Sequence, residues 1–384
     1  VILRVLDAID AVPRAAWDRL LDPLANPFMS WTFLAALEGA GCAAPARGWR
    51  PRHLTLWRDA ELVAAAPAYL KHDHEGDFAR DWIWSGAVER AGVRYYPRLF
   101  ITVPITPVPG RRLLVAPGED RRALSALLLE GAKRVAREDQ ASSAHVLFAA
   151  PDELDDLAAA RMALRLDFQA HWFNHGYRDS ADFLARGLDA KQRRNARVER
   201  SRPATQGITI RTVRGAELAA DRERWGRLAY TFYQATIEKM RWGRPWLNRG
   251  FYEHVFRDMP GPLELVVAER GGRAIAGAFN VQHGDRLFGR YWGCLEEHDL
   301  LHFNVCLHHS IDDCIARGLA VFEGGAGGEH KLHRGFDMAA THSGHWFADS
   351  RIHRQIGEHL AADRAARAEE LTKWHHRHSK KKAS

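Results

Sequence analysis

Apolar and polar positions recur along this chain with two periods, and the last third shows them most clearly. Residues 286–294 alternate and are rich in Phe, Tyr and Trp, which predicts a strand. From Phe303 to Ala316 the apolar residues fall at 303, 305, 307, 311 and 315, nearer a helical spacing, and Gly318 is placed to cap that helix. Leu319–Phe322 reads as a short buried strand. Gly324, Gly325, Gly327 and Gly328 follow, then a basic hook that ends at Phe336. An ordered glycine costs roughly 0.5–1 kcal/mol relative to alanine, so a fixed loop of this kind suits a close approach of backbone to a ligand. A wide surface turn is the plain alternative.

The rest of the chain reads in the same way. Val1–Leu6 predicts a strand, Pro13–Leu20 a short helix, and Ser30 an N-cap before the apolar face of Phe33, Leu34 and Leu37. His53–Trp57 and Leu62–Tyr69 predict a hairpin, 81–98 an aromatic strand, and Leu99–Val103 another strand. Glu119–Glu138 predicts an amphipathic helix with Leu124, Leu127, Leu128 and Val135 inside. His145–Phe148 reads as a strand and Asp152–Leu164 as a helix. In the second half, 191–200 predicts a basic helix, Ile208–Val213 a strand and Trp225–Met240 a helix. Leu263–Glu269 and Arg273–Val281 form a hairpin about Gly271-Gly272. Ile352–Leu371 predicts a last helix and the segment after it a basic, disordered tail. Hairpin, strand, helix and strand thus occur in the same order in both halves. A structural duplication is expected, with a domain over 1–165, a second over 166–350 that carries the site, and a terminal helix and tail over 351–384.

Composition narrows the classes. Of the 384 residues 46% are hydrophobic and 10% aromatic, enough for a packed core, and the length suits two domains. The net charge of +7 makes anionic partners plausible without requiring them. Cys42, Cys294, Cys306 and Cys314 show no CxxC pairing and read as reduced residues of a cytoplasmic protein. The opening VILRVLDAID is unlike a signal peptide, and no apolar run approaches 18 residues. Fourteen of the 21 histidines lie at or after His283, but none of them has metal-ligand spacing, so no metal site is expected.

Three further stretches carry candidate chemistry. Trp82 and Trp84 would share one strand face and wall a planar or sugar-like substrate, with Arg94 and Arg98 holding an anion; burial in the core is the plain alternative. Residues 241–247 place Arg241, Trp242 and Arg244 beside Pro245 and Trp246, a composition unusual for a connector and suited to substrate contact. The basic helix 191–200 is either a solvated face or a phosphate-binding one.

Several of these stretches together resemble a family. NPFMSWTFLAALE, DWIW with RAGVRYYPRL, VPITPVPGRRLL, WGRPWL, RYWGCLEEHDLLHFN and FEGGAGGEHKLHRGF look like bacterial predicted N-acyltransferases of the peptidoglycan biosynthesis/recognition type, distant relatives of the Fem aminoacyltransferases on the GNAT fold. The resemblance implies an α/β (α+β) fold of two tandem GNAT-like domains, each a mixed, largely antiparallel sheet flanked by helices. It implies an N-acyltransferase with no permanently bound cofactor. The co-substrate would be an acyl-CoA such as acetyl-CoA, or an aminoacyl-tRNA. The acceptor would be an amine on a small molecule or a cell-wall precursor. Acyl transfer needs a proton acceptor for the amine and fixed donors for the oxyanion. In GNAT-like proteins the splayed end of the fourth strand supplies backbone donors, and here that place matches Gly293 and Cys294. Lys331 and Arg334 are the candidates for donor phosphate or developing charge. Glu329 or Glu323 is the candidate proton acceptor, His302 or His330 the competing base, and Tyr291 the acid to the leaving group. Where CoA-using relatives have a glycine-containing loop, this chain has Glu296, Glu297 and Asp299, which would repel a pyrophosphate. The alternative class is a non-catalytic glycan- or nucleic-acid-binding protein on the same fold.

Overall fold

The computed structural model describes residues 1–239 and 244–383, with side chains described except at 83 and 377–383. The chain forms two compact units, Val1–Asp167 with Ala340–Glu369, and Phe168–Ala339 with Glu370–Ser384. Residues 340–369, which sequence order alone places after the second half, therefore group with the first.

The first unit starts with β1 (Ile2–Leu6), β2 (Trp49–Pro51), β3 (His53–Arg58), β4 (Glu61–Ala66) and β5 (Ala68–Lys71). The strand expected over Leu62–Tyr69 is two strands. Pro67 lacks the N–H that would continue the ladder, and the chain changes sheets there: β4 pairs with β3, whereas β5 pairs with β2. β6 (Arg98–Ile101), β7 (Leu114–Val115) and β8 (Ser143–Ala149) complete this part of the chain.

The helix Arg121–Glu138 is capped by the Asp120 carboxylate, which accepts from the Ala123 N–H at 3.1 Å. Leu124, Leu128 and Val135 face the core from it as expected, but Leu127 is 47% exposed. It falls outside the stripe that positions four and eleven residues apart mark on a helix. The segment from 81 is a helix, Trp82–Arg90, and not a strand. Two residues on a helix stand about 200° apart, so Trp82 points to solvent and is 69% exposed, while Trp84 packs edge-on against His345 at 4.8 Å. Arg98 is fully buried between Asp77 and Asp81, which neutralise it in place; Arg94 is exposed and donates to the Gln140 carbonyl.

In this unit β6 and β8 run parallel, joined through the helix Arg121–Glu138. Beyond Ile101 the two strands are not left apart. The chain folds back so that Gly110 bridges to Ala149, and the buried Arg112 donates to the carbonyls of Leu147, Gly110 and Val108. The Glu153 carboxylate accepts from the N–H groups of Ala150, Arg112 and Leu113. The space beside this parallel pair is filled by the chain's own backbone.

β9 (Ala163–Phe173) leads into the second unit, where a longer helix had been expected to end at Leu164. This unit carries β10 (Ile208–Arg214), β11 (Leu263–Arg270), β12 (Arg273–His283), β13 (Arg286–Cys294) and β14 (Val321–Glu323). β10 to β13 pair antiparallel in sequence order, β14 joins β13 in parallel, and the end of β9 closes on β14. The hairpin at Gly271-Gly272 forms as expected, with φ of 55° and 76° at the two glycines. Each unit is thus an α/β body with a largely antiparallel sheet, and each holds one parallel strand pair joined through a helix. β15 (Asp337–Phe347), which the sequence pattern did not reveal, returns the chain to the first unit and pairs with β8. The last helix runs Ser350–Ala383 and takes in the segment expected to be a disordered tail; no Gly or Pro follows Gly357 to stop it.

Candidate active site

In the second unit β13 and β14 pair over only three residues, Arg286–Phe288 with Val321–Glu323. After Phe288, β13 stays on β12 as far as Cys294, while the chain after Glu323 turns away into the glycine loop. The two parallel strands therefore splay, and a pocket of about 220 Å³ opens between them. One wall is Gly289, Arg290, Tyr291 and Trp292. The opposite wall is Gly324, Gly327, Gly328, His330 and Lys331.

The floor comes from the helical segment Leu301–Arg317. It begins as an α-turn, widens into a π-turn at Asn304–His308 and continues as α-helix, so that His302 and Cys306 both reach the pocket. π-Turns re-aim side chains in this way and are common at functional sites.

The glycines have separate tasks. Gly325, Gly327 and Gly328 have φ of 77°, 76° and 90°, a region that other residues enter at a cost. At Gly324 a Cβ would lie 2.9 Å from the Phe336 ring and 3.1 Å from Lys331 Cδ. The loop curls around Lys331, whose Nζ donates to the carbonyls of Gly325 (2.9 Å) and Gly327 (2.8 Å). Lys331 is only 7% exposed, and among the described residues no carboxylate pairs with it. Burial lowers its pKa to about 8, with only the Cys306 thiol opposing the shift.

Four rings crowd the same end of the pocket. His302 lies 4.9 Å from Trp292 and 5.9 Å from His330, and Phe303 lies 5.5 Å from His330. Burial and then the charges of His330, Lys331 and Arg334 push the His302 pKa down to about 4. Burial, Lys331 and Arg334 also lower that of His330. Both rings are thus neutral near pH 7 and able to accept a proton.

The other expected site residues lie elsewhere. Arg334 is held in a bidentate pair with Glu199, donates to the His330 carbonyl, and stacks 3.4 Å from the Phe303 ring centre. It braces the hook instead of facing the pocket. Glu329 is exposed and Glu323 is buried on β14 against Arg286, 2.9 Å away; neither lines the pocket. Gly293 and Cys294 lie beyond it. A Cβ on Gly293 would stand 1.6 Å from the Phe232 carbonyl oxygen, and Cys294 Sγ accepts from Lys239. The backbone along the opened gap belongs to Gly289–Trp292, one turn of the pleat earlier than expected. Trp82, Trp84 and Arg94 belong to the first unit and do not line this pocket. Arg241 and Trp242 lie outside the described residues, and Arg244 is exposed. Arg290, Trp292 and Cys306 were not anticipated. The alternation of RYWGC marked the strand of Arg290 and Trp292 but not which of its edges would open, and Cys306 reaches the pocket from the helical segment.

A family model for FemAB-like proteins, described as peptidoglycan biosynthesis/recognition, matches residues 8–382. The chain belongs to the FemAB-like family. No curated protein matches the sequence. Among solved structures this FemAB-like chain is similar to FemX, at 12% identity and a TM-score of 0.50, over 90% of this chain and 98% of that one. It is also similar to a conserved protein of unknown function from Bacteroides thetaiotaomicron, at 10% identity and a TM-score of 0.51, over 90% and 99% of the two chains. A tandem GNAT protein from the clavulanic acid biosynthesis pathway aligns at 15% identity and a TM-score of 0.40, over 90% and 98%. With FemX and the Bacteroides thetaiotaomicron protein the chain shares its fold, here two α/β units as expected. No described helix is long and apolar enough to cross a membrane.

Proposed function

We propose that this FemAB-like protein is an N-acyltransferase whose reaction centre is the gap between β13 and the glycine loop. The observation that carries this reading is Lys331: a buried cation that pairs with no carboxylate among the described residues, at a place where two parallel strands separate beside an open cavity. A fixed positive charge in a partly desolvated pocket stabilises the oxyanion that forms when an amine adds to an acyl carbonyl. His330, neutral and beside Lys331, accepts the proton that the amine loses. His302 is the second candidate for that role. Tyr291, which lines the pocket from the facing strand, returns a proton to the leaving oxygen or sulfur in this reading.

For the donor, the reading favours aminoacyl-tRNA over acyl-CoA. The turn before Leu301 carries Glu296, Glu297 and Asp299, a poor setting for a pyrophosphate, and surface cations already hold them: Arg273 on Glu296 at 2.5 Å and Lys239 on Glu297 at 3.0 Å. The helix Ala190–Thr205, in contrast, exposes Lys191, Arg194 and Arg197, while its Arg202 pairs with Asp299 at 3.5 Å. The acceptor proposed is an amine on a cell-wall precursor, in keeping with the family.

The test is transfer of label from aminoacyl-tRNA and from acetyl-CoA to amine acceptors, by the wild type and by Lys331→Met. Turnover that is lost in the variant, at an unchanged melting temperature, supports the reading. No transfer from any donor overturns it in favour of a binding protein. If tRNA is the donor, neutralising the exposed cations of Ala190–Thr205 flattens the salt dependence of binding.

A further inference from the structure

We propose that Lys331 is itself an acyl acceptor, so that a donor bound without its amine substrate acylates the enzyme at this residue. The inference rests on the reaction centre proposed above and adds a modification site to it. Its basis is geometric. Lys331 lines the pocket and is almost fully shielded from solvent. Two of its positions are taken by the carbonyls of Gly325 and Gly327, which hold the nitrogen without neutralising it. That leaves a third position on the nitrogen. In the ammonium form it carries a proton that can face an oxyanion. In the amine form, with the two N–H bonds to the glycine carbonyls kept, it carries the lone pair.

The two backbone carbonyls favour the ammonium, but less than a full negative charge would. A carboxylate partner would supply that charge, and none is present among the described residues. Arg334, the other fixed cation of the hook, is paired with Glu199 and stacked on Phe303. The amine form is thus accessible near neutral pH, as burial alone would arrange.

The step is a simple acyl substitution. Nζ adds to the carbonyl carbon of the donor and forms a C–N bond. The C–O bond of an aminoacyl ester, or the C–S bond of a thioester, breaks. The attacking nitrogen, an amine when it adds, then gives up one of its protons, and the ribose hydroxyl or thiol leaves with that proton. The product is an amide on Lys331. It removes the positive charge from the pocket and fills part of its 220 Å³, so the modified enzyme is inactive. Acceptor amine and Lys331 compete for one carbonyl, and supply of acceptor protects the enzyme.

The experiment uses the full chain. It is incubated with aminoacyl-tRNA or acetyl-CoA, with and without an amine acceptor, and occupancy is read by mass spectrometry of peptides carrying Lys331, Lys191 and Lys373. Lys331 is expected to be acylated about tenfold faster than the two exposed lysines, because it lines the pocket in which the donor carbonyl is held. Acceptor should suppress the adduct, urea should abolish the preference, and loss of turnover should track occupancy. A parallel reductive methylation with formaldehyde reads access to the amine without any donor. Turnover with Lys331 unacylated overturns the inference and leaves the acyltransferase reading standing. Labelling by formaldehyde with neither turnover nor adduct from either donor overturns both.

Discussion

Arg334 grips Glu199 with two parallel hydrogen bonds, Nε to Oε2 at 2.8 Å and Nη2 to Oε1 at 2.6 Å. The pair ties the basic hook to the helix Ala190–Thr205, and His308 adds a third contact to the same carboxylate at 2.7 Å. Lys331 and His330 sit on the turn that this pair anchors. Charges held in fixed geometry act through position, so the pair governs the pocket without entering it.

Glu199→Ala should therefore cost about 3 kcal/mol of stability, since it leaves Arg334 and His308 without their partner in a largely buried site. Arg334→Lys keeps the charge but loses the fork, and should reduce turnover more than stability. Urea unfolding and single-turnover rates on both variants check this. Equal losses in the two measurements would argue against a positioning role.

The pH profile of turnover follows from Lys331. Its ammonium form is the one that faces an oxyanion, and its pKa lies at about 8. Activity should hold up to that pH and then fall, tenfold for each further unit. Lys331→Arg keeps a charge at all these pH values, so any activity it retains should not fall there. A wild-type profile that rises through pH 9 would instead mark Lys331 as a base.

Acid should destabilise the first unit early. His145 and His345 face each other there, Nδ1 to Nδ1 at 2.8 Å, each with a serine hydroxyl at its other nitrogen. Burial pushes both pKa values well down, with Arg98 and the partner ring or Arg165 adding to it. The unfolded chain takes up these protons near pH 6.5 and the folded one does not. Stability is thus complete above that pH and falls below it, by about 1.4 kcal/mol per unit for each histidine. Replacing the pair with Phe and Leu should flatten that slope in melts between pH 7 and 5.

Gly293 tests the packing behind β13. A Cβ there would meet the Phe232 carbonyl at 1.6 Å, which is backbone and cannot swing aside. Gly293→Ala should cost about 3 kcal/mol. Gly261→Ala, where a Cβ meets nothing within 4 Å, is the control and should change the melting temperature little.

The sequence by itself determined most of the local elements. Period-two runs found β11 to β13, the glycine pair found their hairpin, and the basic run found the helix over 191–200, whose start the structure places at an Asp189–Gln192 capping box. Quoted motifs identified the family and the glycine loop with Lys331. Three things escaped it. DWIW has the alternation of a strand, yet its ends favour a helix, because Asp81 is held by Arg98 from a distant point in the chain. β9 and β15 have mixed burial, and neither shows a clean period of two. Above all, the sequence placed Glu329 and Arg334 with Lys331 because they are neighbours in order. Only the tertiary structure decided which of them faces the cavity. A tight helical turn sends successive side chains to different sides, and the long-range pair with Glu199 selects which side belongs to Arg334. The same holds for the two parallel strand pairs. Their local patterns are alike, but one is closed by Arg112 and Glu153 and the other left open, since closure depends on where a distant segment lands.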